Sequence, residues 1–124
     1  AITCHDAGYP RRLKEIYEAV RKLTRKYKPD SIAVEEIFFS KNAKTAIMVG
    51  EARGVILLAA SQSGAEMAEY TPLQVKVAIV GYGRADKKQM QFMVKQILRL
   101  KDIPRPDDAA DALAIAICHA NCSR

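Results

Sequence analysis

Apolar residues recur along this chain with two different periods in alternation, which predicts helices and strands in an α/β order. Leu13, Ile16, Tyr17, Val20, Leu23, Thr24 and Tyr27 fall at helical spacing after Pro10. That helix is expected to stop before Pro29, since a residue ahead of proline is steered out of the helical region. Ser31 to Phe39 is dense in Ile, Val and Phe and is bounded by Pro29-Asp30 and Ser40-Lys41-Asn42. It reads as a buried strand interrupted by Glu35 and Glu36. A long helix follows from about Ala43 to Ser61, in which Gly50 and Gly54 leave a notch where another backbone can approach. Glu66 to Tyr70 reads as a short strand, Pro72 to Val80 as a short helix and Gly81 to Arg84 as a loop. Asp86 with Gln89 has the spacing of a capping box, and Met90, Met93, Val94, Ile97 and Leu98 form the buried stripe of the helix it opens. Ala1 to Cys4 is a further short strand. With no linker, repeat or low-complexity segment, residues 1–124 are expected to form a single domain.

The last element carries the first sign of chemistry. Pro106 and Asp107 supply a proline and a cap, and between Ala109 and Cys118 the only charged residue is Asp111. A helix apolar nearly all round is expected inside a protein. A lone carboxylate there is costly unless paired, protonated or bound to metal. Asp108 and Asp111, three apart, share a face and suit a hard divalent cation. Capping, the helix dipole and a salt bridge explain the same residues without metal. Glu35 and Glu36 repeat the question, because only one of two adjacent strand residues can face such a cluster. On an edge strand neither would be unusual.

Charge and composition narrow the classes. Eight Lys and Arg between residues 11 and 28 stand against two Glu, so this segment alone carries the chain's net charge of +6. A solvated helix face accounts for it as well as phosphate contacts do. The apolar runs are shorter than a membrane span, and no signal peptide is read at the start. The three cysteines, Cys4, Cys118 and Cys122, are expected as reduced thiols in a cytoplasmic protein. With His5 and His119 they could form a zinc site, although their spacing matches no Cys-x-x-Cys pattern.

In combination these blocks resemble the RuvC family of bacterial Holliday-junction resolvases. The resemblance runs through Ala33-Val34-Glu35-Glu36-Ile37-Phe38-Phe39, Lys41-Asn42, Gly50-Glu51-Ala52-Arg53-Gly54-Val55, Gln74-Val75-Lys76, Gly81-Tyr82-Gly83, Asp86-Lys87 and Asp108-Ala109-Ala110-Asp111-Ala112-Leu113-Ala114. It implies a ribonuclease-H-like fold, a mixed sheet flanked by helices. It also implies an endonuclease that resolves junctions by metal-dependent, paired symmetric nicking in homologous recombination and DNA repair. Glu35, Asp108 and Asp111 are then the metal-binding carboxylates. Lys76 and Lys87 are catalytic and DNA-contacting cations, and Phe38 is the aromatic that stacks into the junction. The implied cofactor is Mg²⁺ or Mn²⁺, two ions per site. The implied partners are a four-way DNA junction, a second copy of the chain through the Gly50/Gly54 helix, and the branch-migration proteins RuvA and RuvB. The family opens with an Asp-bearing Gly-Val-Asp-Pro-Gly-like strand that has no counterpart here. The chain is therefore expected to lack the family's first two strands and a fourth acid, and to cleave poorly alone. A DNA-binding or dimerising fragment without activity, or a ribonuclease-H-like nuclease acting on RNA, is the alternative. The plainer alternatives are Phe38 as core, the two lysines as solvated surface, and the glycines as packing within the monomer.

Overall fold

The computed structural model describes residues 9–36 and 42–122. The expected strand at Ala1–Cys4, the strand end at Ile37–Phe39, and with them His5, Asp6 and Phe38, lie outside the described residues. The element order is α1 (Tyr9–Tyr27), β1 (Ser31–Glu35), α2 (Ala43–Ser61), β2 (Glu66–Tyr70), α3 (Pro72–Val80), α4 (Lys87–Leu98) and α5 (Asp107–Cys122). Among the described residues the sheet is one pair, β1 beside β2. Glu66 N–H donates to the Asp30 carbonyl at 3.0 Å and Glu36 N–H to the Tyr70 carbonyl at 2.8 Å. Both residue numbers rise together, so the pair is parallel. No helix of the described residues is long and apolar enough to cross a membrane.

The chain divides into two compact units, Ala1–Ile32 with Phe38–Met67, and Ala33–Ile37 with Ala68–Arg124. In the first, α2 packs on α1. Asn42 caps α2, its side chain accepting from the N–H groups of Lys44 and Thr45. Ala59 and Ala60 are fully buried, and side chains this small permit close helix approach. Thr24 is buried with its hydroxyl bonded to the Arg21 carbonyl at 3.0 Å, and the Tyr17 hydroxyl bonds the Gln62 side chain. The stripe expected along α1 is only partly covered: Leu23 and Tyr27, near its C-terminal end, are exposed.

The second unit is built on α3, α4 and α5, whose core is Val75, Ile79, Val94, Ala114, Ile117 and Cys118. Its helix starts are specified locally. Thr71 and Gln74 form a reciprocal capping box ahead of Pro72, and Asp86 and Gln89 form a second one. α3 stops at Gly81, whose φ of 101° suits a residue without Cβ. Gly83 lets the following loop lie against Leu73, because a Cβ there would fall 2.2 Å from Leu73 Cδ1.

Three expectations are corrected. Pro106, whose carbonyl accepts from Ala109 N–H at 2.9 Å, precedes the first turn of α5, so Asp107 is its first residue and not its cap. α5 buries one face only. Ala110, Ala114, Ile117 and Cys118 are inside, whereas Asp108, Asp111, Ala112, Ala116 and Ala120 are exposed. Alanine tolerates either side, being the best helix former and offering little surface, so an Ala-rich run does not mark a fully buried helix. On α4, Val94 is fully buried while Ile97 and Leu98, in the last turn, are 43% and 39% exposed.

Val94→Ala is expected to destabilise the protein by about 1–3 kcal/mol through lost burial and the cavity left behind. Thr71→Ala should cost about 1 kcal/mol through loss of the cap. Urea unfolding with an unchanged m-value is the measurement.

Candidate active site

A cleft of about 310 Å³ opens in the second unit, with Glu35, Lys76, Lys87 and Asp111 on its walls. Each side chain arrives from a different element. Glu35 is the last residue of β1, where the strand's alternation turns it opposite to Glu36. Lys76 follows the buried Val75 on α3, Lys87 is the first residue of α4, and Asp111 lies one turn into α5. Val75, Ala85, Met90, Ala114 and Ile115 supply an apolar floor.

Electrostatics tie these groups together. Partial burial and then the Asp111 charge push the Glu35 carboxyl up, while the Lys76 ammonium pulls it down. Asp111 thus opposes the ionisation of Glu35 across the cleft, a condition a bound cation would relieve, and Asp86 is a third carboxylate residue on its lining. Lys87 Nζ lies 3.2 Å from Asp107 Oδ2, and Gln91 Nε2 donates to Asp107 Oδ1 at 3.1 Å. Asp107, first by hydrogen bond and then by charge, raises the pKa of Lys87, with smaller contributions from Asp111 and Asp108; Asp107 is lowered in turn by Lys87. Lys87 is therefore held as a cation at neutral pH, which suits electrostatic stabilisation and not proton acceptance.

Of the residues singled out in the sequence, Glu35, Asp111, Lys76 and Lys87 are brought to one cleft. Asp108 is not among its lining residues. It borders a neighbouring depression with Gln91, Ile103 and Asp107, although its charge reaches Lys87. Three residues along a helix fall about a sixth of a turn short of a full revolution. Asp108 therefore lies both to one side of Asp111 and nearer the helix start. Among the described residues no three His, Cys, Asp or Glu side chains group to hold a metal ion. Of the three carboxylates expected to converge, Glu35 and Asp111 line this cleft and Asp108 the neighbouring one. Phe38 lies outside the described residues.

Asp107 was missed as a site residue because a carboxylate opening a helix is explained by the dipole alone. The available signal was on α4, where Lys87 and Gln91, four apart, present two donors on one face. Elsewhere in this unit the Tyr70 hydroxyl and His119 Nδ1 are 2.6 Å apart. Burial, then Cys122, pushes the Cys118 thiol up to about 11, so it is a packing residue and not a nucleophile.

The profile of the family described as crossover junction endodeoxyribonuclease RuvC matches residues 1–119. A protein of that name from Desulforamulus reducens is 59% identical over 112 residues, covering 90% of this chain and 69% of its own length. Its namesake from Rubrobacter xylanophilus is 63% identical over 113 residues, covering 91% of this chain and 63% of its own length. That from Syntrophomonas wolfei is 59% identical over 123 residues, covering 99% and 72%. The chain thus spans between 63% and 72% of the length of these relatives. Among solved structures, Thermus thermophilus RuvC superposes with a TM-score of 0.84 at 41% identity, covering 94% of this chain and 70% of that one. The same protein in complex with a Holliday junction substrate gives 0.83 at 39%, covering 94% and 71%. These likenesses bear out the ribonuclease-H-like α/β class expected from the sequence.

Two outcomes follow from the cleft's charges. The folded Glu35 pKa is raised, so the stability linked to its neutral form is present below the unfolded carboxylate pKa and lost as pH rises through the higher folded value. Glu35→Gln should therefore raise the melting temperature at pH 7, by a few degrees at most because the group is only half-buried, and the gain should vanish in acid. Thermal melts of both proteins from pH 3 to 8 measure it. Asp107→Asn should lower the Lys87 pKa, read as an earlier titration of the Lys87 ζ-ammonium by NMR.

Proposed function

Because this chain belongs to the RuvC family of crossover junction endodeoxyribonucleases, we propose that it hydrolyses phosphodiester bonds of four-way DNA junctions at the cleft containing Glu35 and Asp111. The observation that carries the reading is the meeting in one cleft of Glu35, whose ionisation Asp111 opposes, with Asp111 itself and the lysines Lys76 and Lys87. The two units are read as parts of one nuclease domain, in keeping with a family match over residues 1–119.

The donors fit a hard divalent cation in kind, since Glu35 and Asp111 offer carboxylate oxygens, and Asp108 is the next acid along the helix. Such a cation, taken as Mg²⁺ or Mn²⁺ with two per site, would supply charge neutralisation and activate water for attack on phosphorus. Glu35 and Asp111 would hold it. Lys76 and Lys87 stabilise charge that grows on the phosphoryl oxygens. With Asp107 and Gln91 fixing its position, Lys87 meets the phosphate as a permanent cation. Phe38 is proposed to stack in the opened junction.

Paired nicking of a two-fold junction calls for a two-fold dimer. Ile47, Gly50, Gly54 and Leu58 lie along one face of α2. Ile47 and Leu58 are 61% and 53% exposed, and a Cβ added at either glycine would meet no other side chain or neighbouring segment within 4 Å among the described residues. This face supports a homodimer in which a second backbone fills the notch. RuvA and RuvB are proposed as partners, recombination and repair as the setting, and the bacterial cytoplasm as the location. A second reading, junction binding without cleavage, is favoured by the position of Asp108 on a neighbouring depression, apart from the cleft that holds Glu35 and Asp111.

Asp111→Asn and Glu35→Gln should each lower cleavage of a synthetic four-way junction in Mg²⁺ or Mn²⁺ at least about 100-fold, with binding in Ca²⁺ little changed. Cleavage that survives both substitutions would remove the cleft from the chemistry. Binding with no nicking by the unsubstituted protein would establish the second reading.

A further inference from the structure

The densest positive charge of the described residues is not at the nuclease cleft. In the first unit, a separate open cleft of about 600 Å³ lies where the C-terminal end of α1 meets the turn from α2 into β2. Arg21, Arg25 and Lys28 line it, with Asp30 as the one carboxylate on its wall and Ser63 and Gly64 on the opposite side. Arg21 and Arg25, four apart, share one face of the helix, and Lys28, just past its end, lines the same cleft. Arg21 and Arg25 are about 6 Å apart along the axis at the helical rise, and Lys28 extends the group past the helix end, enough for more than one phosphate of a strand. Arg21 and Arg25 also border an adjoining depression with Tyr17, Lys22 and the acidic Glu18, so cations outnumber acids there too, three to one. None of Arg21, Arg25 and Lys28 forms an ion pair with another described residue.

The helix dipole does not explain this arrangement. It favours cations in the last turn, which covers Arg25 and Lys26. Arg21 sits more than a turn earlier and Lys28 beyond the helix end. Lys28 is also the wrong residue for stability alone: its φ is 45°, a left-handed position that glycine or asparagine fills more cheaply, and its N–H closes the helix on the Thr24 carbonyl at 2.9 Å. An open cleft with a net excess of cations suits an extended polyanion better than a small enclosed ligand.

We propose that the Arg21–Arg25–Lys28 cleft binds the sugar-phosphate backbone of a DNA duplex arm, as a sequence-independent contact distinct from the nuclease cleft. The proposal rests on the reading of the protein as a junction nuclease for its choice of polyanion. Phosphate contacts of this kind add affinity and salt dependence but no base selectivity.

The test uses the full chain carrying Arg21→Gln, Arg25→Gln and Lys28→Asn together, with fluorescence anisotropy of a labelled four-way junction in Ca²⁺ between 50 and 200 mM salt as the readout. Each neutralised phosphate contributes about 0.9 to the slope of log affinity against log salt, so the slope should flatten by roughly 2 to 3. The loss should be uniform across junction sequences. Single-turnover cleavage at saturating protein should stay within about twofold, because these residues are not placed at the reacting phosphate. Lys28→Asn alone guards against misfolding: it should melt no lower than the parent and flatten the slope by about 1. An unchanged slope in that variant, or in a folded triple variant, overturns the proposal. Loss of self-association or of binding to an acidic protein, with the slope intact, would assign the cations to a protein partner and overturn it equally. Asp111→Asn separates the two readings. If it still cleaves while the triple variant flattens the slope, the nuclease site is misassigned and the backbone contact stands.

Discussion

Burial of one face of α5 is the constraint on which the second unit depends. Ala110, Ala114, Ile117 and Cys118 are inside, and the core they belong to includes Val75 and Ile79 of α3 and Val94 of α4. Three helix stems are thereby held at fixed rotations about their axes. Lys76 adjoins buried Val75, Lys87 begins the helix anchored by Val94, and Asp111 adjoins buried Ala110. A polar side chain next to a buried anchor has little freedom of direction, so the apolar packing also aims the charges. The small residues matter here, because alanines at the α5 contact let the neighbouring backbones come close.

The charges so aimed are not symmetrical. Lys76 opposes the rise in the Glu35 pKa, while Lys87 is claimed by Asp107 and steadied through Gln91. One lysine is coupled to the strand carboxylate and the other to the start of α5. Asp111 acts on both Glu35 and Lys87, which makes it the group through which the two halves of the cleft communicate. An exposed ion pair such as Lys87–Asp107 adds little to stability, and its value is in fixing a position.

The first unit presents a different balance. α1 and α2 join through small, well-covered residues, yet both helices leave surface that a monomer has no use for, apolar along Ile47 to Leu58 and basic along Arg21 to Lys28. The two surfaces differ in the kind of partner they can bind. The apolar face with its glycine notch gains by excluding water against another backbone, whereas the basic surface gains by releasing counterions from a polyanion.

Most elements were legible in the sequence because their causes are local. The stripe from Leu13 to Tyr27, the boxes at Thr71 and Asp86, the prolines and Gly81 act within a few residues, and they mark where α1, α3 and α4 begin or end. The acids of the cleft were legible too, as carboxylates set in apolar runs, and its two lysines through the family resemblance. Tertiary structure decided which of them meet. Helical spacing put Asp108 and Asp111 on one face, but only the rotation of α5 against its core turned Asp111 toward Glu35 and left Asp108 on the neighbouring surface. Likewise Asp107 had every local property of a helix-terminal acid, and its pairing with Lys87 depends on two helix starts being brought within 3.2 Å of each other. Periodicity records which side of an element is apolar; it carries no information on how far that side is rotated toward any one partner, and that rotation sets the chemistry.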